Sequence, residues 1–162
     1  FLSGLYFRGK LAYAERFADP PAGMSGAQVI TANRGLVPAE TVVTVDELRA
    51  FGQVDIDAED PRYLRPLEES LAPLVADRSL QVVLLGSLAT PKYILPLFAA
   101  LGERVLFPSE FVGRGDMSRG AMLLRAAREG RPLEYLPLVD PVQPGERAPR
   151  KRKKSPVPSD SG

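Results

Sequence analysis

The sequence predicts an α/β domain with a Rossmann-like, mostly parallel sheet flanked by helices, and with the first strand of that sheet missing. Three observations carry the prediction. Short strand-like runs alternate with amphipathic helical stripes through Phe1–Asp140, the pattern of strand–helix–strand units. Gln81–Gly86 (QVVLLG) is apolar on both faces, as a central strand covered twice by helices requires. The chain also opens on a helix where alternating α/β domains commonly open on a strand. It starts at Phe1 rather than methionine, so we expect either a processed piece or missing upstream residues.

The elements follow in order. Leu5–Ala18 is a predicted helix, with Phe7, Leu11, Ala14 and Ala18 at three- and four-residue steps and Tyr6, Tyr13 and Phe17 widening the stripe. Asp19-Pro20-Pro21 stops it, because proline disfavours helical geometry in the residue before it. Ala27–Thr31 is a short strand. Thr44–Phe51 is a brief helix, since Thr44 and Glu47 have capping-box spacing. Leu64, Leu67, Leu71 and Leu74 mark a further helix that Pro73 should kink or end early. After Gln81–Gly86, Thr90-Pro91 suits the cap and first position of a helix, although Pro96 argues against an unbroken one to Leu101. Arg104–Phe107 is a third strand, Met117–Glu129 a helix closed by Gly130, and Leu133–Leu138 a fourth strand. The crossover between the second and third strands is long enough to return the chain parallel, which puts the loops after both strands at one sheet edge.

Composition narrows the chemistry. The chain has no cysteine and no histidine, which excludes disulfides, thiolate nucleophiles, a Ser-His-Asp triad and the commonest zinc ligand. No metal site is expected and no cofactor is indicated. The longest apolar run, Ile94–Leu101, contains Pro96 and is too short to span a bilayer. With no such span and no secretion signal near the start, a cytoplasmic protein without membrane contact is expected.

The overall net charge of +1 hides a division. Residues 141–162 carry six basic and two acidic side chains, which leaves a body, residues 1–140, of net charge about −3. That terminal segment is rich in Pro, Ser and charge and is expected to be a disordered tail. Its run Arg147–Lys154 suits a nucleic-acid contact, with a solubilising tail as the plainer account.

Three loops are placed to carry chemistry, because ligands of parallel sheets bind outside the carboxyl ends of the strands. In the first, Asn33 and Arg34 are candidate ligand contacts beside Gly35, or parts of an ordinary turn. In the second, Ser87, Thr90 and Lys92 follow the strongest strand and would cradle a phosphate or carboxylate at a helix start, or simply cap a turn. The third, Ser109–Gly120, gathers three glycines, two arginines and two carboxylates. Arg114 and Arg119 could clamp anionic oxygens, and Glu110 or Asp116 could serve as base or nucleophile if desolvated. On the plainer account Asp116 is a helix cap, Gly120 a close-packing contact and the arginines surface charges. A P-loop fails at Ala121 and Met122, a dinucleotide fingerprint fails in its third glycine, and Arg114-Gly115-Asp116 is too short a string to imply adhesion.

Tyr6–Ala18 (YFRGKLAYAERFA), Leu84–Tyr93 (LLGSLATPKY) and Phe111–Arg125 (FVGRGDMSRGAMLLR) together resemble a bacterial family with no established activity, over most of Tyr6–Leu138 and not over the tail. More distantly, the chain is similar to small bacterial domains with an opening like YFRKSxAYA, then a strand and a GLL turn, some found beside nucleobase-modification enzymes. The resemblance implies no activity, and no residue role carries over from it. The residues themselves point to a domain that binds a small anionic ligand, a nucleotide or another phosphorylated metabolite, and hydrolyses or transfers it. The alternative is a non-catalytic interaction or regulatory domain whose basic tail contacts nucleic acid. Whether the chain is an enzyme stays open between them.

Overall fold

The computed structural model of the chain describes residues 2–141. The tail expected to be disordered, with its Arg147–Lys154 charge run, therefore lies outside the described residues. Helix α1 (Leu2–Phe17) forms where expected but turns a different face inward: Tyr6 and Tyr13, expected at the flank of the stripe, are buried, while Phe7 and Ala18 of the stripe itself are exposed. Strands β1 (Gln28–Ile30) and β2 (Leu36–Pro38) make an antiparallel hairpin with Val29 opposite Val37. The Ala27–Thr31 strand, expected in a parallel sheet, thus pairs with a strand the hydrophobic pattern did not reveal. Helix α2 (Val45–Phe51) starts from the capping box: Thr44 Oγ1 accepts from the Glu47 N–H while Glu47 accepts from the Thr44 N–H.

Helix α3 (Pro61–Ala76) is capped by Asp60, whose carboxylate accepts from the Arg62 N–H at 2.9 Å. It runs through Pro66 and on past Pro73 to Ala76, a correction to the early end expected at Pro73. The carbonyls these prolines leave without a helical donor belong to Arg62 and Glu69, both exposed, where water can take them. Its buried residues Tyr63, Leu67, Leu71 and Leu74 recur at helical spacing.

Strand β3 (Val82–Val83) is followed by α4 (Pro91–Leu101), β4 (Val105–Pro108), α5 (Asp116–Glu129) and β5 (Tyr135–Pro137), with one-turn 3₁₀ helices on either side of β4. Helix α4 is unbroken, against expectation, and the reason is a side chain from α3. Pro96 has no N–H for the carbonyl four residues earlier, that of Lys92. The Tyr63 hydroxyl donates to that carbonyl at 2.8 Å instead.

The larger sheet has the order β3-β4-β5, parallel between β3 and β4 and antiparallel between β4 and β5. The fold is mixed α/β, but the mostly parallel, Rossmann-like sheet expected from the sequence is not formed by the described residues: one strand pairing of three is parallel. Tyr13 explains the reversal of β5. Its oxygen accepts from the Leu133 N–H at 2.8 Å and its hydroxyl pairs with that of Tyr135. The segment after α5 is thereby held against α1 and enters the sheet from the carboxyl edge.

Gln81–Gly86 also proves to be an edge strand rather than a central one. Its two apolar faces are nonetheless both used. Val82 and Leu84 pack on a core built by α3 and α4 around Leu67, Leu71 and Leu97, and Leu85 packs on a second core built by α1 and α5 around Phe111 and Leu123. Apolarity on two faces reported helical cover, which an edge strand can also have. Among the described residues, β1 and β3 each have a strand on one side only.

Helices α1 and α5 approach through a pair of glycines. A Cβ on Gly9 would lie 2.7 Å from the Gly120 carbonyl oxygen, and one on Gly120 would lie 2.9 Å from Tyr6 Cα. Further along, the Arg16 guanidinium stands beside Gly130, so the two helices run in the same direction. Among the described residues, no helix is long and apolar enough to cross a membrane.

Candidate functional site

Strands β3 and β4 are parallel neighbours, so the loops that follow them share one sheet edge, as the connection length implied. The candidate residues divide around that edge.

Asn33 and Arg34 belong to the turn of the β1–β2 hairpin, whose contacts are with α2 and α3. Thr31 donates to the Gly35 carbonyl through both its N–H (2.9 Å) and its hydroxyl (2.8 Å). Gly35 has φ of 66°, and a Cβ there would lie 2.1 Å from the Pro66 carbonyl oxygen, so only glycine lets this turn seat on α3. The Leu36 N–H donates to Ser70 Oγ at 2.8 Å. Arg34 is committed to Glu47 by an ion pair of 2.7 Å. The turn is accounted for structurally, except that the buried Oδ1 of Asn33 has no hydrogen-bond partner among the described residues.

In the second loop Thr90 is the cap residue of α4, yet its side chain makes no cap bond. The Thr90 hydroxyl turns to Ser87 Oγ at 3.3 Å, which also accepts from the Ala89 N–H. Lys92 leaves the group. It lines a cleft of about 520 Å³ together with Asp55, Asp57 and Glu59, and its Nζ lies 5.2 Å from the centre of the Tyr93 ring. Among the described residues, no group of three or more acidic side chains is placed to hold a metal ion.

The third loop resolves into unequal parts. Glu110 is exposed on the 3₁₀ turn Ser109–Phe111, whose Phe111 is fully buried. The cap of α5 is Gly115 and not Asp116, which is the first helical residue and is exposed. Arg119 is largely buried and turned inward: Nε and Nη2 both donate to the Phe111 carbonyl, at 3.3 and 3.0 Å, with the guanidinium over the Phe111 ring. That fork is spent on the chain itself, so the bidentate clamp expected of Arg119 is not available. Arg114 is exposed and donates to Ser118 Oγ at 3.2 Å. Gly120 is the close-packing contact of the plainer account.

Two residues of α1 complete the edge, and neither stood out in the sequence. Tyr6 donates its hydroxyl to the Leu85 carbonyl at 2.6 Å, at the end of β3, and sets its ring edge-on to Phe111. Burial raises the Tyr6 phenol above its ordinary value, and the charge of Arg119 opposes the rise. Lys10 lies with Nζ 4.3 Å above the Tyr6 ring. Burial lowers the Lys10 ammonium below its ordinary value and Asp116 opposes the fall. Among the described residues Lys10 has no hydrogen bond and no ion pair within 4 Å, so its three donors are open. The signal was a lysine inside an otherwise aromatic face: Tyr6, Lys10, Tyr13 and Phe17 recur at helical steps.

The resulting edge carries Lys10, Arg114, Asp116 and Ser118 around the start of α5, with Ser87 and Thr90 at the start of α4. Comparison of the chain with protein-family models, with curated proteins and with solved structures finds no match.

Proposed function

We propose that the domain binds a phosphate-bearing small molecule, a nucleotide or another phosphorylated metabolite, at the edge where α4 and α5 begin. A contrast between helix starts carries this. α2 and α3 satisfy their first N–H groups with the side chains of Thr44 and Asp60. α4 and α5, the two helices that follow the parallel strands, have no side-chain cap. The first amides of α5 therefore stay open to water or an anion, while at α4, where Pro91 has no N–H and the Tyr93 N–H donates to the Thr90 carbonyl at 3.3 Å, the Lys92 N–H does; the open ammonium of Lys10 and the exposed guanidinium of Arg114 stand by α5. Asp116 pairs with Arg119 at 3.8 Å and is felt by Lys10, so it competes with an incoming anion, which sets a modest affinity that falls with salt.

The same placement favours binding without turnover. Glu110 and Asp116 are exposed, and neither gains the desolvation that general-base or nucleophilic work draws on. Lys92 is in a different cleft from Arg114. Both observations suit a regulatory or interaction domain that senses a ligand.

Titration of the labelled protein with ATP, GMP and inorganic phosphate at low salt tests the proposal. Amide shifts should gather at residues 87–93 and 115–119, and Lys10→Met should weaken binding about tenfold, roughly 1.4 kcal/mol. Arg114→Lys should weaken it less, because one charge is kept and only the planar fork is lost. Shifts confined to the Asp55–Glu59 cleft, or affinity unchanged in Lys10→Met, would overturn it.

A further inference from the structure

The chain that follows β5 leaves the fold beside α4, and the start of α4 borders an acidic cleft. Leu138 donates its N–H to the Val105 carbonyl at 2.8 Å and packs in the core with Ile94, Leu97 and Leu101 of α4. The exit is therefore on the α4 layer of the sheet, near the end of that helix. α4 is 11 residues long, about 16 Å along its axis, and the cleft is at its other end. Arg150 lies 12 residues beyond Leu138, a reach of up to about 40 Å. The basic run Arg147–Lys154 is thus tethered well within range of the cleft.

The cleft, of about 520 Å³, lies between the start of α4 and the segment that leads into α3. Its lining combines Asp55, Asp57 and Glu59 with the apolar side chains of Ile56, Pro91 and Leu95. All three carboxylates are exposed, and none forms an ion pair among the described residues. With the ammonium of Lys92 counted, the lining has a net charge of −2. Carboxylates at the rim and apolar walls between them suit a side chain with a long methylene stem and a cationic head.

We propose that the basic run Arg147–Lys154 of this same chain docks in the cleft formed by Asp55, Asp57, Glu59 and the start of α4. Charge complementarity selects the occupant, since the run holds six cations and no acidic residue. The spacing agrees as well: the carboxylates stand at alternate positions, and Arg150, Arg152 and Lys154 do the same, so an extended segment presents all three cations on one side. Each exposed pair is weak and screened by salt. The covalent tether offsets this by raising the effective concentration to roughly millimolar, so an attraction too weak between separate molecules suffices within one. A polyanion that engages the run must first displace it from the cleft. The inference does not depend on anion binding at the α4 and α5 starts.

The test uses the full chain with a nitroxide spin label on Ser155→Cys, a unique attachment point because the sequence has no cysteine. Paramagnetic broadening of amide signals is read at low salt. Signals of residues 55–59 and 92–95 should lose about half their intensity or more, and should recover at 1 M salt, where the screening length is about 3 Å. Two variants should also restore them: Asp55→Asn with Asp57→Asn and Glu59→Gln, and glutamine at all five positions 150–154, which leaves the body untouched. Broadening that is uniform over the surface, that centres elsewhere, or that persists in both variants would overturn the proposal. So would equal broadening when isotope-labelled protein without the nitroxide is mixed with spin-labelled protein, since the run would then be docking on another copy.

Discussion

Replacing Tyr63 with phenylalanine tests how α4 accommodates a proline at its centre. Tyr63 is fully buried, and its hydroxyl serves the Lys92 carbonyl that an N–H at position 96 would otherwise take. Tyr63→Phe keeps the ring and its packing and removes the donor. A part-buried carbonyl left unpaired costs about 1–3 kcal/mol. Pro96→Ala restores a helical N–H four residues from Lys92. In that background the carbonyl has a second donor, and Tyr63→Phe should cost at least about 1 kcal/mol less. Urea denaturation of the four proteins of the cycle, followed by circular dichroism, measures the coupling. In a domain of this size 1 kcal/mol also moves Tm by about 2–4 °C. An equal cost for Tyr63→Phe in both backgrounds would refute the idea that the hydroxyl replaces the bond Pro96 removes.

The α1–α5 crossing predicts opposite signs for one substitution in two places. At Gly120 an added Cβ falls short of a comfortable carbon contact by about 0.6 Å against backbone atoms, so Gly120→Ala should destabilise by about 1–3 kcal/mol, whereas Gly4→Ala meets nothing within 4 Å and should stabilise by about 0.5–1 kcal/mol. Urea midpoints for the two variants that move the same way would count against the close approach. Arg104 donates to the carbonyls of Leu74 and Asp77 at 2.9 and 2.8 Å, at the end of α3; Arg104→Met should cost about 1–3 kcal/mol, and a thermal melt indistinguishable from the parent would show those carbonyls content with water. Burial pushes the Tyr63 phenol from 10.0 up to about 12, so the unfolded chain loses that proton first: stability is full below about pH 10 and falls as pH rises toward 12. Urea midpoints measured across that window should fall less steeply in Tyr63→Phe than in the parent, and identical slopes would remove Tyr63 from the titration.

The elements were legible where local chemistry decides them. The capping box at Thr44 and Glu47, the leucine spacing of α3 and the closing Gly130 each act within one helix, and each stands in the structure as expected. The pairing of strands was less legible, because it depends on contacts remote in sequence. Tyr13 turns β5 antiparallel from 122 positions away, and no pattern within Leu133–Leu138 encodes that. Pro96 misled for the same reason, since its rescue comes from Tyr63. At the candidate site, residue type alone could not separate a ligand contact from a structural one. Arg114 and Arg119 look alike in the sequence, yet one is exposed and the other spends its fork on Phe111. Lys10 could have been found by asking why a charge interrupts an aromatic helix face.

The clasp between Tyr13 and Tyr135 joins the beginning of the domain to its end, and this has a consequence for synthesis. Tyr13 of α1 is made 122 residues before Tyr135 of β5. At about 5–20 residues per second that is a delay of roughly 6–24 s. α3, α4 and the hairpin can assemble their shared core during that time. The aromatic face of α1 cannot be covered until α5 and β5 have emerged, so α1, made before the other elements described, is the last of them to find its neighbours.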